Sequence, residues 1–172
     1  MIKIVGIILI IASSTILGFC YGERFKSRLK ELRELQRGIY VLKSEINFTR
    51  SLLPDAFYKV YEKCDAPIGD IFLKVSELLN TNEEKDVYSC FLQVLNEKKE
   101  TLSLTKEDIS IFIDFTKSLG EVDIDGHNDM FSLTLDNLSK AVEDAEHNMD
   151  KNVKMYRYLG FSFGAMIGII LI

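Results

Sequence analysis

Residues Lys151–Ile172 read KNVKMYRYLGFSFGAMIGIILI, in which three basic residues precede an uncharged run. The start of the chain mirrors this arrangement, because Ile4–Gly22 contains no charged residue and a basic segment, 24–37, follows it. As a helix, these 19 residues span about 29 Å, close to the thickness of the hydrocarbon core of a bilayer. The sequence therefore predicts a transmembrane helix at each end of the chain.

The second apolar run is the shorter of the two. Tyr158–Ile172 has 15 residues, about 22 Å as a helix, and Arg157 can extend it by snorkelling to the interface. We therefore divide the chain into three parts. They are an N-terminal transmembrane helix (1–22), a helical bundle (23–157) and a C-terminal transmembrane helix (158–172).

The charges flanking the first run predict the topology. Six Lys/Arg lie between Arg24 and Arg37, whereas only Lys3 precedes the run, so the positive-inside rule places the bundle in the cytoplasm. Phe19 before Cys20 fits neither a small-residue cleavage site nor a lipoprotein cysteine, which favours an uncleaved anchor. The predicted location is a cell membrane, crossed twice.

The net charge of −5 is unevenly distributed. Residues 1–54 carry 9 Lys/Arg and 4 Asp/Glu, residues 55–150 carry 9 and 22, and residues 151–172 carry 3 and none. Basic residues beside both apolar runs suit contact with anionic lipid. The acidic middle argues against a nucleic-acid partner, whose phosphates require a basic surface.

Small residues repeat every four positions in both apolar runs. Such strips allow membrane helices to approach closely, and we predict packing faces on both runs. Whether the two strips meet each other or a partner is open. The predicted packing glycines are Gly18 and Gly22 in the first run and Gly160, Gly164 and Gly168 in the second.

Between the two runs, the periodicity is helical throughout. Apolar residues recur every seven positions at Leu32, Ile39, Ile46 and Leu53, with Leu35 and Leu42 interleaved, which predicts one long helix with an apolar seam. Packing of this seam within the chain is favoured over an intermolecular coiled coil. The predicted fold is all-α, a six-helix bundle carried on N- and C-terminal transmembrane helices.

Caps and prolines predict the other helix boundaries. Pro54 interrupts the first helix and starts a short one that reaches Lys63. The other predicted starts are a cap at Asp65 before Pro67, capping boxes at Thr81/Glu84 and Thr105/Asp108, and a last helix from about Asn128 that continues into the membrane.

The sequence contains no phosphate-binding loop, no dinucleotide fingerprint and no Cys/His cluster with metal-binding spacing. The three cysteines (Cys20, Cys64 and Cys90) form no disulfide framework and are interpreted as idle thiols in a reducing compartment. The acidic loop 121–129 partly matches a calcium-binding loop, but Ser132 falls where a bidentate carboxylate is required. We predict no catalytic residue, metal or cofactor, and no enzymatic activity.

Two segments of the chain carry a family resemblance. KSLGEVDIDGHND at Lys117–Asp129 and KMYRYLG at Lys154–Gly160, with the helix between them and the glycine-rich run after them, resemble the stage III sporulation protein AB family of endospore-forming bacteria. The two-anchor layout matches over nearly the whole chain. The positions that match are Leu119, Gly120, Asp123 and Gly126 in the loop, and Tyr156, Leu159 and Gly160 at the membrane entry.

The resemblance implies a cytoplasmic bundle similar to one F domain of the inner-membrane platform of type II secretion and type IV pilus machines. It also implies a place among other membrane proteins of a channel complex that links mother cell and forespore. A cytosolic secretion-type ATPase is the implied neighbour. In this setting we predict that acidic residues of the bundle (Asp123, Asp125 and Asp129) dock the ATPase. A solvated acidic face that only aids solubility is the alternative.

Other classes of protein stay open at the level of sequence. They are a sensor stalk with an extracytoplasmic domain, a membrane-bound enzyme, and a membrane-anchored helical scaffold. The scaffold would dimerise through the Leu32–Leu53 seam.

Overall fold

All regular structure in the described part of the chain is helical. The computed structural model describes residues 2–49, 51–81, 86–121 and 124–171. Its elements are α1 (Ile2–Ser44), a π-helical turn (Glu45–Thr49), α2 (Leu53–Lys63), α3 (Ile68–Thr81), α4 (Val87–Lys98), α5 (Lys106–Glu121) and α6 (Ile124–Leu171). Six α-helices and, over these residues, no strand confirm the all-α prediction.

The chain forms two compact units. A terminal unit contains Met1–Leu29 and Asp144–Ile172, and a central unit contains Lys30–Glu143. Among the described residues, no helix has a stretch both long and apolar enough to cross a membrane. The two transmembrane helices and the domain boundaries at residues 22 and 158 therefore stay predictions.

In the terminal unit, the first part of α1 and the last part of α6 pack antiparallel. The ring of Tyr156 stacks on Tyr21 and Phe25, with centroids 5.9 and 5.8 Å apart. Toward the end of this pairing, Arg28 Nη1 lies 3.8 Å from Asp144 Oδ2. Aromatic stacking between large apolar surfaces therefore contributes to this pairing.

The core of the central unit is a cluster of six buried phenylalanines. Their rings meet mostly edge to face, for example Phe57 with Phe91 at 5.3 Å and Phe91 with Phe112 at 5.1 Å. This geometry suits the quadrupoles of the rings. The cluster connects α2 to α6 and consists of Phe57, Phe72, Phe91, Phe112, Phe115 and Phe131.

The apolar seam of α1 packs within the chain, as predicted. Leu32, Leu35, Ile39 and Leu42 are all buried inside a single copy of the central unit, so they are not available to a coiled-coil partner. The seam ends at the π-helical turn, where Ile46 is half-buried. The structure thus offers no support for a scaffold that dimerises through Leu32–Leu53.

Gly38 brings α1 close to two other helices. A Cβ at this position would lie 3.1 Å from Val60 Cγ1 and 3.2 Å from Phe72 Cε2. Both distances are shorter than ordinary carbon contacts. At the level of sequence this glycine only weakens a helix, whereas in the structure it lets α2 and α3 pack against α1.

Of the two predicted capping boxes, one is confirmed. Thr105 and Asp108 exchange hydrogen bonds at the start of α5. The Thr105 amide donates to Asp108 Oδ2 (2.9 Å) and the Asp108 amide donates to Thr105 Oγ1 (3.2 Å). These two hydrogen bonds provide acceptors for two backbone amides at the start of α5 that have none within the helix.

The box predicted at Thr81 is wrong. Thr81 is the last residue of α3, and its hydroxyl donates back to the carbonyl of Glu77 at 2.9 Å. Asp86 caps α4 instead, accepting from the Ser89 amide at 2.7 Å, and this hydrogen bond holds the pKa of Asp86 below its usual value. Glu84, the second member of the predicted box, lies outside the described residues.

Asp65 also differs from its predicted role as a cap. Its carboxylate lies 3.1 Å from Lys30 Nζ, and its amide donates to Glu34 Oε2 at 2.8 Å. These contacts hold the α2–α3 turn against α1. The next helix, α3, begins at Ile68, the residue after Pro67.

Two predictions for the last two helices hold closely. α5 ends at Glu121, one residue after the predicted stop at Gly120. α6 begins at Ile124, four residues before the predicted start, and continues without a break to Leu171. The sequence predicts this continuity, because Phe131, Leu138 and Ala145 recur every seven residues and neither glycine nor proline follows Asn128 before Gly160.

Glu31 attaches α1 to the α4–α5 loop. Its Oε2 accepts from the Ser103 amide at 2.8 Å, and the residue is buried. Burial raises the pKa of Glu31, partly offset by the hydrogen bonds from Ser103. Because the carboxylate has donors on the loop, the otherwise unfavourable burial of an acidic residue is tolerated here.

Replacing Gly38 with alanine tests the close packing of α1. Alanine gains up to about 1 kcal/mol of helix propensity, but overpacking a tight site costs about 1–3 kcal/mol. We expect Gly38→Ala to lower the melting temperature of the full chain in detergent. The matched control is Gly6→Ala on the same helix, whose Cβ would meet nothing within 4 Å. A Gly38→Ala protein as stable as Gly6→Ala would contradict the packing role.

Candidate docking surface

The predicted docking acids lie around the start of α6. Asp129 is exposed on that helix, and Asp125 belongs to its first turn. Asp123 lies outside the described residues. Of the predicted site, Asp129 is therefore the residue whose side chain the structure shows.

The acidic face extends along α6 beyond the predicted residues. Asp129, Asp136 and Glu143 are spaced by seven and all exposed, so they lie on one face of the helix. On the same face, Lys140 pairs with Asp136 at 2.7 Å, and Leu133 is exposed. The carboxylates of Asp129 and Glu143 thus extend the acidic surface across two heptads of α6.

A side-chain hydrogen bond joins the start of α6 to the π-helical turn after α1. Asn47 Nδ2 donates to Asn128 Oδ1 at 2.8 Å, across 81 residues of sequence. Asn128 immediately precedes Asp129, so the bond places the π-helical turn beside the acidic face. Neither asparagine stands out in the sequence.

The π-helical turn and the residues after it expose two large apolar side chains. Phe48 is 86% exposed and Leu52 is 74% exposed. Both positions fall outside the heptad seam of α1, which ends here. Pro54 is the second residue of α2. At this position the missing N–H of proline costs no hydrogen bond within the helix.

Contacts within the chain fix the backbone of this turn. The Ser51 amide donates to the Glu45 carbonyl at 3.4 Å, and its hydroxyl donates to Glu45 Oε2 at 3.3 Å. Together with the Asn47–Asn128 bond, these contacts hold Phe48 and Leu52 outside the core. We call Phe48, Leu52, Asp129 and the Asn47–Asn128 pair the tip.

Sequence reasoning missed the apolar part of the tip. Phe48 and Leu52 are apolar residues near the end of a predicted helix, and such residues are usually buried. The available signal was their register, because neither belongs to the Leu32–Leu53 heptad pattern. An aromatic residue outside an otherwise regular seam is a candidate for contact with a partner.

A groove of opposite charge opens between α4 and α5. Its volume is about 190 Å³, its walls are Leu92, Leu95, Ile109 and Ile113, and its polar lining is Asn96, Lys99 and Lys106. The charged residues of this groove are lysines, whereas those of the tip are carboxylates. A basic partner surface is therefore attracted to the tip and repelled by the groove.

The predicted glycine strips are described only in part. Gly18 and Gly22 are buried on α1, and a Cβ at Gly22 would meet Val153 of α6 at 3.8 Å. Gly160, Gly164 and Gly168 belong to the last turns of α6. The packing role of the two strips stays a prediction.

The environment of Cys64 does not activate its thiol. Cys64 and Cys90 are buried, and Cys20 is exposed. Burial, with the carboxylate of Glu34 nearby, raises the pKa of Cys64 to about 11. The thiol of Cys64 is therefore protonated at neutral pH and a poor nucleophile. Over the described residues, no group of three His, Cys, Asp or Glu side chains is placed to hold a metal ion.

Comparison with known proteins points to one family. A family model described as stage III sporulation protein AB matches residues 3–172. The chain is 26% identical over 171 residues to stage III sporulation protein AB of Bacillus subtilis (strain 168), covering 99% of each protein. A solved structure of a stage III sporulation protein AB is 24% identical and similar in fold, with a TM-score of 0.66 over 72% of this chain and 96% of that one.

Proposed function

The chain belongs to the stage III sporulation protein AB family, and we propose that it is a non-enzymatic membrane platform component of a secretion-like channel complex between mother cell and forespore. The family is named for a stage of sporulation and not for a reaction. In the proposed complex, the chain docks a cytosolic secretion-type ATPase and contacts other membrane proteins of the channel.

The observation that carries the docking proposal is the exposed acidic face of α6. Asp129, Asp136 and Glu143 lie on one side of the helix, and the side chain of Asn128 attaches its start to the π-helical turn. A predominantly acidic surface attracts a basic partner and increases the association rate. Because the sequence has no phosphate-binding loop, the proposed complex needs its nucleotide hydrolysis from a partner.

The proposed location is the mother-cell membrane facing the forespore, crossed twice, with the central unit in the cytoplasm. Two apolar runs support this proposal, because Ile4–Gly22 and Tyr158–Ile172 contain no charged residue. α1 continues from the first run into the central unit, and α6 continues from the central unit into the second. Six Lys/Arg after the first run support the cytoplasmic orientation.

Charge reversal tests the docking. We expect the full chain carrying Asp123→Lys, Asp125→Lys and Asp129→Lys to lose most of its co-purification with the ATPase from sporulating cells. The matched control reverses three exposed acids elsewhere in the central unit, Glu97, Glu100 and Asp114, and should bind like the unmodified chain. Unchanged binding of the first variant at low salt, where such contacts are strongest, would contradict the proposal.

A reporter inserted after Lys99 tests the topology. This position lies in the loop between α4 and α5, where an insertion interrupts neither helix. We expect a reporter that is active only in the cytoplasm to show activity, and one that requires export to show none. The reverse pattern would contradict the proposed orientation and favour a sensor stalk with an extracytoplasmic domain.

A further inference from the structure

The geometry points to an apolar anchor in the docking surface, formed by Phe48 and Leu52. We propose that these side chains insert into an apolar pocket of the partner and that basic residues surround this pocket. The inference rests on the proposed docking function, and it adds the chemistry of the contact. Without an apolar anchor, the acidic face would select a partner by its charge alone.

The exposure of Phe48 contrasts with the burial of the other phenylalanines of the central unit. Six phenylalanines of that unit are buried in its core, whereas Phe48 is 86% exposed. Leu52, four residues later in the sequence and immediately before α2, is 74% exposed. Aromatic residues such as phenylalanine are enriched in protein interfaces relative to the rest of the protein surface.

Hydrogen bonds connect the turn that carries Phe48 to its neighbours. Two hydrogen bonds between Ser51 and Glu45 close the turn, and the Asn47–Asn128 bond attaches it to α6. An anchor held in place before binding loses less conformational entropy than one on a mobile loop. The π-helical geometry of residues 45–49 also suits this role, because π-helical turns occur frequently at functional sites.

The charges around the anchor define the partner. Asp55, in the first turn of α2, and Asp129 on α6 are exposed acids, and Glu45 lies in the π-helical turn itself. The sequence places Arg50 within this segment, and Lys59 on α2, which pairs with Glu62, lies within electrostatic reach of Glu45. Acidic residues around an apolar centre match a partner that presents basic residues around an apolar pocket.

The same charges argue against a lipid surface as the occupant. A membrane leaflet rich in anionic lipid attracts basic segments and repels the carboxylates of Glu45, Asp55 and Asp129.

The groove between α4 and α5, with Lys99 and Lys106, has the charge that suits the tip of a second copy. Self-association is therefore a distinct outcome that the experiment must separate.

The experiment measures ATPase binding to the full chain in detergent micelles, with the unmodified chain and the double variant Phe48→Ser, Leu52→Ser. We expect the double variant to weaken binding about tenfold or more. The control is Tyr40→Ser, which removes an aromatic ring that is 57% exposed on α1, and it should bind like the unmodified chain. Because all three side chains are exposed, the melting temperatures should agree.

A salt series separates the anchor from the acidic face. Between about 50 mM and about 500 mM salt, contacts between exposed charges weaken strongly, whereas apolar contacts do not. The double variant should therefore lose affinity by a similar factor at both concentrations. Asp129→Lys should lose affinity mainly at the lower concentration.

Each result has one interpretation. If the unmodified chain does not bind the ATPase, both the proposed docking function and the proposed anchor are wrong. If the unmodified chain binds and the double variant binds equally, the anchor is wrong and the docking function stands. If the double variant binds the ATPase normally but loses self-association, the partner is a second copy; if it loses binding to anionic vesicles instead, the partner is lipid. Either result overturns the assignment.

Discussion

Edge-to-face packing of phenylalanine rings holds the central unit together. Phe91 contacts Phe57, Phe72 and Phe112, so one ring of α4 connects α2, α3 and α5. The contact of Phe115 with Phe131 then adds α6. Because these rings fix four helices against α6, the loops at the ends of the unit are presented in defined positions. The tip depends on this rigidity, since its two halves come from distant parts of the sequence.

The distribution of apolar and charged residues gives the tip its chemistry. The apolar seam of α1 is buried as far as Leu42, and the π-helical turn follows, so Phe48 and Leu52 are left outside the core. α6 contributes carboxylates spaced along one face. Residues at the centre of an interface supply most of its binding energy. The surrounding charges select the partner and increase the association rate. The proposed docking requires both properties at one surface.

The sequence predicts the parts of the fold that depend on local patterns. The heptads of α1 and α6 and the Thr105/Asp108 box depend on contacts within a few turns, and the structure confirms them. Thr81 fails as a cap because a threonine hydroxyl bonds equally well to the preceding turn. The close packing at Gly38 depends on which helices lie nearby, and periodicity within one helix contains no such information. For the exposure of Phe48, the sequence offers only its register outside the heptad seam.

Hydrogen exchange of the full chain, with and without the ATPase, tests docking through the tip. We expect slower exchange on binding in two segments, the turn that carries Phe48 and the first turns of α6 around Asp129. Both segments should respond together, because the Asn47–Asn128 bond joins them. Two results would contradict docking through the tip. One is protection confined to the α4–α5 groove, and the other is unchanged exchange of the tip in a complex shown to form.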